Sequence, residues 1–388
     1  MNSKQRVKSA FDHREPDRVP IFELEVNSFV ASEIMGRPMY TGGGNLRKAA
    51  VEAGPEGRLQ LALRILNDTV ELVRELDLDI FVLPDLPLEE ETPREVAENT
   101  WVYEDGGFWR KVRYLPRTDM CSEVDSYILR EGLPGFRRYV EHLERCPSTG
   151  VMEEMAPLLR SALSPILGER FIMGKADLAF PAHASWLPVF LEALVREPEL
   201  VHRYLRVQTE RALELIRLQA GAGADAIVGG ADIAYTHSTF FSPAMFERFF
   251  LPELRRIVDQ CHRLGMYFVK HTDGNIKPIE RGLLVESGID GYHPVEPRAG
   301  MDLGELKRRY GRRLTLLGNV DCAHTLVFGS PQEIEAEVRE CIRVAAPGGG
   351  YVLSSSNCIH RGVPARNFLI MLEAARKYGR YPVLTRPG

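Results

Sequence analysis

Eight short apolar runs, separated by amphipathic stretches of helical period, set the organisation of this 388-residue chain. They cover residues 18–22, 79–83, 171–174, 224–228, 267–270, 289–292, 314–317 and 351–353. Nearly every run ends in a polar or charged residue that packing does not require. In a (β/α)8 barrel the functional groups lie where the strands end. The pattern therefore predicts an α/β protein built as a single (β/α)8 TIM barrel over residues 1–388.

The segment 86–167 departs from this alternation. Residues 101–104 and 108–113 are typical of two β-strands, and Asp105-Gly-Gly107 between them is typical of a tight turn. Helical stretches follow the second of these strands. We predict an inserted hairpin-helix segment after the second barrel strand, which would serve as a lid over the barrel mouth or as an edge for dimerisation.

Composition excludes several classes of partner. The net charge of -5 is small and acidic, whereas a nucleic-acid-binding protein usually has a basic excess. We find no apolar stretch long enough to span a bilayer, and the N-terminus lacks the apolar core of a signal peptide. The six cysteines form no CxxC pair, which favours reduced thiols in a cytoplasmic protein.

The run His271-Thr-Asp273-Gly274 is the sharpest local signal of function. Residues two apart on a strand point to the same side, so the His271 and Asp273 side chains can converge on one ligand, metal or proton. Asp232 ends another strand after two glycines, where backbone can approach a ligand closely. Asp232 could equally cap a helix or an Asx turn. We predict catalytic roles for these three residues and for Asn357 at the end of the last strand.

Polar residues at other strand ends extend the predicted site. Asn357 follows three serines, and such a run is a poor core strand, so we expect it to line a polar cavity. Several acids around a mouth that also holds a histidine favour a divalent cation or a cationic ligand. The remaining candidates for contact with substrate are Glu23, Glu25, His293, Glu296, Asn319 and Asp321.

The order of several motifs resembles the uroporphyrinogen decarboxylase superfamily over nearly the full length. The motifs are Asp17-Arg-Val-Pro20, Ser242-Pro243 with Leu251-Pro252, His271-Thr-Asp-Gly274, Gly318-Asn-Val-Asp321, and residues 350–357 followed by Val363-Pro364 and Asn367. The resemblance implies one of two activities. One branch removes the acetate carboxyl groups of uroporphyrinogen without a cofactor. The other moves methyl groups between corrinoid proteins and acceptors, usually with zinc.

The departures from the decarboxylase pattern favour the second branch. Decarboxylases of this superfamily carry an Arg-rich motif after the first strand, which binds the substrate carboxylates. Here that place holds Glu23 and Glu25, so the sign of the charge is reversed. Decarboxylases also place a histidine near the end of the last strand, where this chain has Asn357.

The thiol methyltransferases of the superfamily hold zinc with His-x-Cys on one strand and a cysteine on the last. This chain keeps His271 but has Asp273 and Asn357 at the cysteine positions, which gives a harder ligand set. By resemblance we predict a corrinoid-dependent methyltransferase, with His271, Asp273 and Glu23 as zinc ligands. The implied partners are a small-molecule substrate, a corrinoid protein and a second copy in a homodimer.

Two alternatives remain open at this stage. The first is a uroporphyrinogen decarboxylase, which would need no cofactor. The second is a non-catalytic barrel that binds a corrinoid or another ligand. The number of charged strand ends counts against the second alternative, because a scaffold has no need for so many buried carboxylates.

Overall fold

The computed structural model describes residues 1–87, 92–146 and 151–383, without the side chains of 151–155. The strands are β1 (Ile80–Val82), β2 (Arg94–Ala97), β3 (Thr100–Asp105), β4 (Phe108–Leu115), β5 (Met120–Ser126), β6 (Phe171–Lys175), β7 (Ala226–Gly229), β8 (Ala234–Tyr235), β9 (Ser238–Thr239), β10 (Tyr267–His271), β11 (Gly291–His293), β12 (Thr315–Leu317) and β13 (Tyr351–Val352). The α-helices are α1 (Ser3–Phe11), α2 (Ser28–Met35), α3 (Asn45–Glu75), α4 (Tyr127–Arg145), α5 (Val151–Leu163), α6 (Leu187–Arg196), α7 (Pro198–Ala222), α8 (Pro243–Met245), α9 (Leu251–Arg263), α10 (Leu303–Tyr310), α11 (Thr325–Phe328), α12 (Pro331–Ala345) and α13 (Ala365–Tyr378).

Seven parallel strands form one curled sheet in the order β1-β6-β7-β10-β11-β12-β13. Each coincides with one of the predicted apolar runs, and helices follow the strands as the alternation requires. The predicted α/β, TIM-barrel-like fold is therefore confirmed.

The first apolar run closes the ring without forming a regular strand. The Leu353 amide donates to the Pro20 carbonyl at 2.9 Å, and the Phe22 amide donates to the Leu353 carbonyl at 3.0 Å. On its other side, the Asp79 amide donates to the Ile21 carbonyl at 2.8 Å. Pro20 has no amide hydrogen, which limits the ladder here to isolated bridges.

Residues 94–126 form a four-stranded antiparallel sheet in the order β2-β3-β4-β5, and α4 follows it. The sequence predicted a hairpin over residues 101–113. Here β3 and β4 pair antiparallel with Asp105 opposite Phe108, as two members of this larger sheet. The boundaries 86–167 of the insertion, its role and the single-domain division of the chain stay predictions.

The lower, N-terminal end of the barrel is closed by apolar packing. Val7, Ala10 and Phe11 of α1 pack with strand residues such as Phe171 and Val269 in one buried cluster. The Gly350 amide donates to the Ala10 carbonyl at 3.0 Å, which ties α1 to the last strand. Because this end is filled, polar side chains at the opposite, C-terminal ends of the strands can face an open cavity.

A buried carboxylate stabilises the point where the ring closes. Asp79 is fully buried, and its oxygens accept from Arg6 Nη1 and Arg18 Nη1, each at 2.6 Å. Its Oδ2 also accepts from the Ile21 amide at 2.8 Å. The network joins α1, the first apolar run and the residue before β1. Among the described residues, we find no helix with the length and apolar character needed to cross a membrane.

Candidate functional site

Three ligand-type side chains meet at the C-terminal ends of β7 and β10. The Nε2 atom of His271 lies 3.7 Å from Oδ1 of Asp232 and 3.8 Å from Oδ1 of Asp273. One ligand atom from each residue lies within 4.8 Å of the other two. The two-residue spacing on β10 places His271 and Asp273 on one side, as the sequence predicted, and the neighbouring strand supplies Asp232.

Asp273 is the residue of this cluster whose hydrogen-bonding capacity is least used. Its Oδ2 accepts a short hydrogen bond from Asn357 Nδ2, whereas its buried Oδ1 has no hydrogen-bond partner among the described residues. Burial raises the pKa of Asp273 to about 8, and the charges of Asp232 and Glu296 add to that rise. Without a cation nearby, Asp273 is therefore substantially protonated at neutral pH.

Asp232 is held in the ionised form. Burial would raise its pKa, but the hydrogen bonds from His183 and from the Asp273 amide oppose burial, and the pKa is lowered. His183 Nε2 lies 3.0 Å from Asp232 Oδ2, and the Asp273 amide donates to Asp232 Oδ1 at 2.9 Å. The two carboxyl groups thus carry different protonation states, which is common in sites that handle protons or metals.

His271 lies between the carboxylates and a second histidine. Its Nδ1 atom lies 2.7 Å from Nδ1 of His293, which is paired with it on the neighbouring strand β11. Burial lowers the pKa of His271 to about 4, so the ring is neutral at physiological pH. Burial lowers the pKa of His293 well below its usual value.

Glu296 fixes the loop after β10. Its Oε2 accepts from the Gly274 amide at 2.7 Å. Gly274 has φ of +90°, and a Cβ there would lie 2.5 Å from the Tyr235 amide nitrogen, so only glycine fits. This contact places the Glu296 carboxylate close enough to raise the pKa of Asp273.

Two lysines at the C-terminal ends of β6 and β10 were not predicted from the sequence as site residues. Lys270 is fully buried and donates to Asp177 Oδ2 at 2.5 Å and to the Ala231 carbonyl at 2.7 Å. Lys175 is half-buried and donates to Asp85 at 3.0 Å. The two-residue spacing of Lys175 and Asp177 at the end of β6 was the sequence signal that could have identified these two residues.

A buried glutamine fixes the position of Lys175. The Lys175 amide donates to Gln219 Oε1 at 2.7 Å, and Gln219 Nε2 donates back to the Lys175 carbonyl at 3.0 Å. A Cβ on Gly174 would lie 2.2 Å from the same Gln219 oxygen, so β6 and α7 approach closely here. The end of β6 is therefore held rigidly against α7.

Of the cluster, His271 lines a cavity of about 450 Å³. Its polar lining consists of Glu25, Asp85, Lys175, Asp177, His271 and Asn357, beside Cys358. Burial raises the pKa of Glu25, and the positive charge of Lys175 opposes that rise. Carboxyl groups outnumber cations around this opening, so it is suited to a cation or to a ligand with donor groups.

Three predicted residues lie outside the cluster. Both carboxyl oxygens of Glu23 accept hydrogen bonds from Ser355, and burial raises the pKa of Glu23 to about 8. Asn319 donates to the Val295 carbonyl at 2.9 Å. Asp321 accepts from the amides of the turn that follows it, at 2.8 and 2.9 Å. The metal role predicted for Glu23 and the substrate roles predicted for Asn319 and Asp321 stay predictions. The group of converging ligand atoms contains Asp232 and not Glu23.

The donor set can hold a divalent cation. One imidazole nitrogen and two carboxylate oxygens match the ligand types of catalytic zinc sites, which use three protein ligands and leave a further position open. The unpartnered Asp273 Oδ1 points to the same fit, because a bound cation would satisfy this buried oxygen. These residues therefore fit the metal that the resemblance implies.

Comparison with known proteins identifies the family. The family model described as "Uroporphyrinogen decarboxylase (URO-D)" matches residues 184–378, half of the chain. The chloroplastic uroporphyrinogen decarboxylase of Nicotiana tabacum is 30% identical over 185 residues, which cover 46% of this chain and 44% of that protein. The uroporphyrinogen decarboxylase of Alkalilimnicola ehrlichii is 31% identical over 193 residues, which cover 47% of this chain and 48% of that protein. The chain thus spans about half the length of these curated relatives.

A solved structure shares the fold over almost the whole length. A methyltransferase from Methanosarcina mazei superposes with a TM-score of 0.66 and is 18% identical, covering 97% of this chain and 99% of that one. The likeness extends the common fold to the N-terminal half, which the family model does not match. The sequence motifs, the barrel and these matches agree, and the chain belongs to the uroporphyrinogen decarboxylase family.

Proposed function

We propose that this protein is a methyltransferase of the corrinoid-dependent type, which moves a methyl group between a corrinoid protein and a small acceptor. In this proposal Asp232, His271 and Asp273 hold a divalent metal, with zinc as the first choice. The observation that carries it is the convergence of their three ligand atoms within 4.8 Å, beside a cavity and with one carboxylate oxygen left unpaired.

The chemistry of the transfer suits such a site. The acceptor loses a proton to solvent, and its electron pair forms the new bond to the methyl carbon. The methyl group would come from the corrinoid protein as a co-substrate, which would keep the electron pair of the broken carbon–cobalt bond. A metal bound at this site would lower the pKa of the acceptor and so generate the nucleophile at neutral pH.

The chain's own residues hold and orient the reacting groups. Asp232 is kept ionised by His183, and Asn357 holds one oxygen of Asp273 so that the other stays directed at His271. The cavity of about 450 Å³ has room for a small acceptor. All six cysteines are free thiols, which supports a cytoplasmic location.

The competing activity is uroporphyrinogen decarboxylation, which the names of the relatives favour. That substrate carries many carboxylates and needs cations around it. The mouth of this barrel instead holds Glu25 and Asp85, and its Lys175 is already paired with Asp85. The charge of the site therefore favours the methyltransferase.

The two activities separate in a direct assay. The purified protein is analysed for bound metal, then incubated with methylcobalamin and a panel of small thiols and amines, and loss of the carbon–cobalt bond is followed by absorbance. The same preparation is given uroporphyrinogen under reducing conditions. We expect about one zinc per chain and demethylation of methylcobalamin. Formation of coproporphyrinogen by a metal-free protein would overturn the proposal.

Variants connect the activity to the site. Asp273→Asn and His271→Ala should each lose the metal and at least 100-fold of the methyl transfer rate. Asp290→Asn is the matched control, because Asp290 precedes β11 at the opposite end of the barrel and accepts a hydrogen bond from the Phe268 amide. Full methyl transfer by both site variants would contradict the assignment.

A further inference from the structure

We propose that His293 is a positioning residue for the metal site, which orients the His271 ring and fixes its hydrogen on Nδ1 so that Nε2 is free to bind the metal. This inference rests on the proposed metal site. It gives His293 a different role from the substrate contact that its place at a strand end predicted.

The contact between the two rings is direct and enclosed. Their Nδ1 atoms lie 2.7 Å apart, and the ring centroids lie 4.9 Å apart with an interplanar angle of 31°. His293 is fully buried, and His271 is 5% exposed. Water therefore has little access to the hydrogen bond, and the His271 ring has no competing partner on this side.

Two backbone contacts and one ring contact hold His293 in place. The register of β10 and β11 puts His271 and His293 side by side. The Thr272 amide donates to the His293 carbonyl at 3.1 Å. Phe22 packs its ring edge-on against His293, with centroids 5.3 Å apart. A residue fixed in this way can transmit its orientation to the ligand it touches.

The number of ring hydrogens determines which histidine donates the hydrogen bond. Two imidazole nitrogens at 2.7 Å must share one hydrogen, because two lone pairs or two N–H groups would repel. A neutral histidine that binds a metal through Nε2 carries its hydrogen on Nδ1. His271 must then be the donor, and His293 Nδ1 must be the acceptor.

The second ring nitrogen of His293, Nε2, is consistent with a role in positioning His271. This atom is buried and has no hydrogen-bond partner among the described residues. The contact with His271 is the side-chain hydrogen bond that the described residues show for this ring, and a backbone interaction with Ser355 opposes the fall in its pKa.

The test compares two replacements that differ in one property. His293→Asn keeps an acceptor, because Asn Oδ1 occupies nearly the same place as His Nδ1. His293→Leu keeps similar bulk but offers no acceptor, and His293→Phe serves if the Leu variant is insoluble. Tyr292→Phe is the matched control, since it removes a neighbouring buried hydroxyl that has no hydrogen-bond partner.

The readouts are metal affinity and ligand-field spectrum. Zn²⁺ and Co²⁺ are titrated into the metal-free protein against a chromophoric chelator, and the visible absorption of the Co²⁺ form is recorded. We expect His293→Leu to weaken binding by about 10- to 100-fold and to shift the Co²⁺ bands. His293→Asn should stay within about threefold of wild type, and Tyr292→Phe should be unchanged.

The outcomes separate the two proposals. If wild type binds neither metal, the metal site fails and the inference fails with it. If wild type binds metal and His293→Leu binds it equally well with the same spectrum, only the role of His293 is overturned. Equal losses in His293→Asn and His293→Leu would also overturn it, because the acceptor would then make no difference.

Discussion

The Nε2 atom of His271 faces the Oδ1 atom of Asp273 at 3.8 Å, and that oxygen has no hydrogen-bond partner among the described residues. Burying a carboxylate oxygen without a partner is costly. A distance of this size is too long for a hydrogen bond, and it leaves room for a cation that both atoms could bind.

Metal affinity should depend on pH through Asp273. The pKa of Asp273 is raised to about 8 in the protein without a cation, so a metal must displace a proton below that pH. The pKa of His271 is near 4, and it contributes no proton above pH 5. We expect the Co²⁺ association constant to rise up to tenfold per pH unit from pH 6 to 8 and then to level off. The Asp273→Asn variant should bind weakly with little pH dependence, and a flat profile in wild type would contradict the prediction.

Asn357 should strengthen metal binding through its hydrogen bond to Asp273. In Asn357→Leu the Oδ2 atom loses its donor, so the carboxylate is less fixed and its ionised form is less favoured. We expect an affinity loss of about 10-fold, measured by chelator competition. Asn319→Leu is the comparison, because Asn319 donates to the Val295 carbonyl outside the cluster. The prediction fails if both variants bind the metal equally.

Glu23 should make the stability of the protein depend on pH. Burial raises its folded-state pKa to about 8, above the unfolded value of 4.5, so the folded state binds more protons between these values. The unfolding free energy contributed by Glu23 is therefore largest below pH 4.5 and falls as pH rises to 8, by about 1.4 kcal/mol per unit.

Replacement by glutamine removes this titration. Urea unfolding of Glu23→Gln and wild type should give similar midpoints at pH 5. At pH 8 the variant should be the more stable by about 3 kcal/mol. Equal stability at both pH values would show that Glu23 titrates normally.

The closure of the ring should depend on Asp79. Asp79→Ala leaves Arg6 and Arg18 without their shared buried partner, and it leaves the Ile21 amide without an acceptor. We expect a loss of about 3–5 kcal/mol in unfolding free energy. Asp77→Ala removes a half-exposed partner of Arg18 and Arg170 and should cost about 1 kcal/mol or less. Similar urea midpoints for the two variants would refute this role.

Gly274 should tolerate no side chain. In Gly274→Ala a Cβ would lie within 2.7 Å of the Ala234 and Tyr235 backbone, in addition to the strain of a φ of +90°. Gly265 has φ of +73° but nothing within 4 Å of its Cβ position, so Gly265→Ala isolates the strain. We expect Gly265→Ala to cost about 1 kcal/mol and Gly274→Ala clearly more, with weaker metal binding only in the latter.

The sequence predicted the barrel because its signals are local. Apolar runs with polar ends reveal strands whatever their neighbours are, and every regular strand of the parallel sheet falls on such a run. The two-residue spacing of His271 and Asp273 likewise puts them on one side of a single strand. The strand predicted at 18–22 is not regular, because Pro20 lacks an amide hydrogen and leaves only isolated bridges.

Contacts between different helices, strands and loops could not be predicted from such local patterns. Whether Asp232 or Glu23 joins His271 depends on which strand lies next to β10, and the structure places β7 there. His183 and Gln219 come from a loop and a helix with no motif around them. Lys270 occupies a position inside an apolar run, where its pairing with Asp177 cannot be inferred from the run itself.

By itself the sequence determined the periodicity of the elements, the polar residues at the strand ends and the family to which their order corresponds. Only the tertiary structure decided which of those residues meet. Ring closure and strand register are long-range properties, so they set the pairing of His271 with His293, the unpaired oxygen of Asp273 and the placement of Glu23 against Ser355.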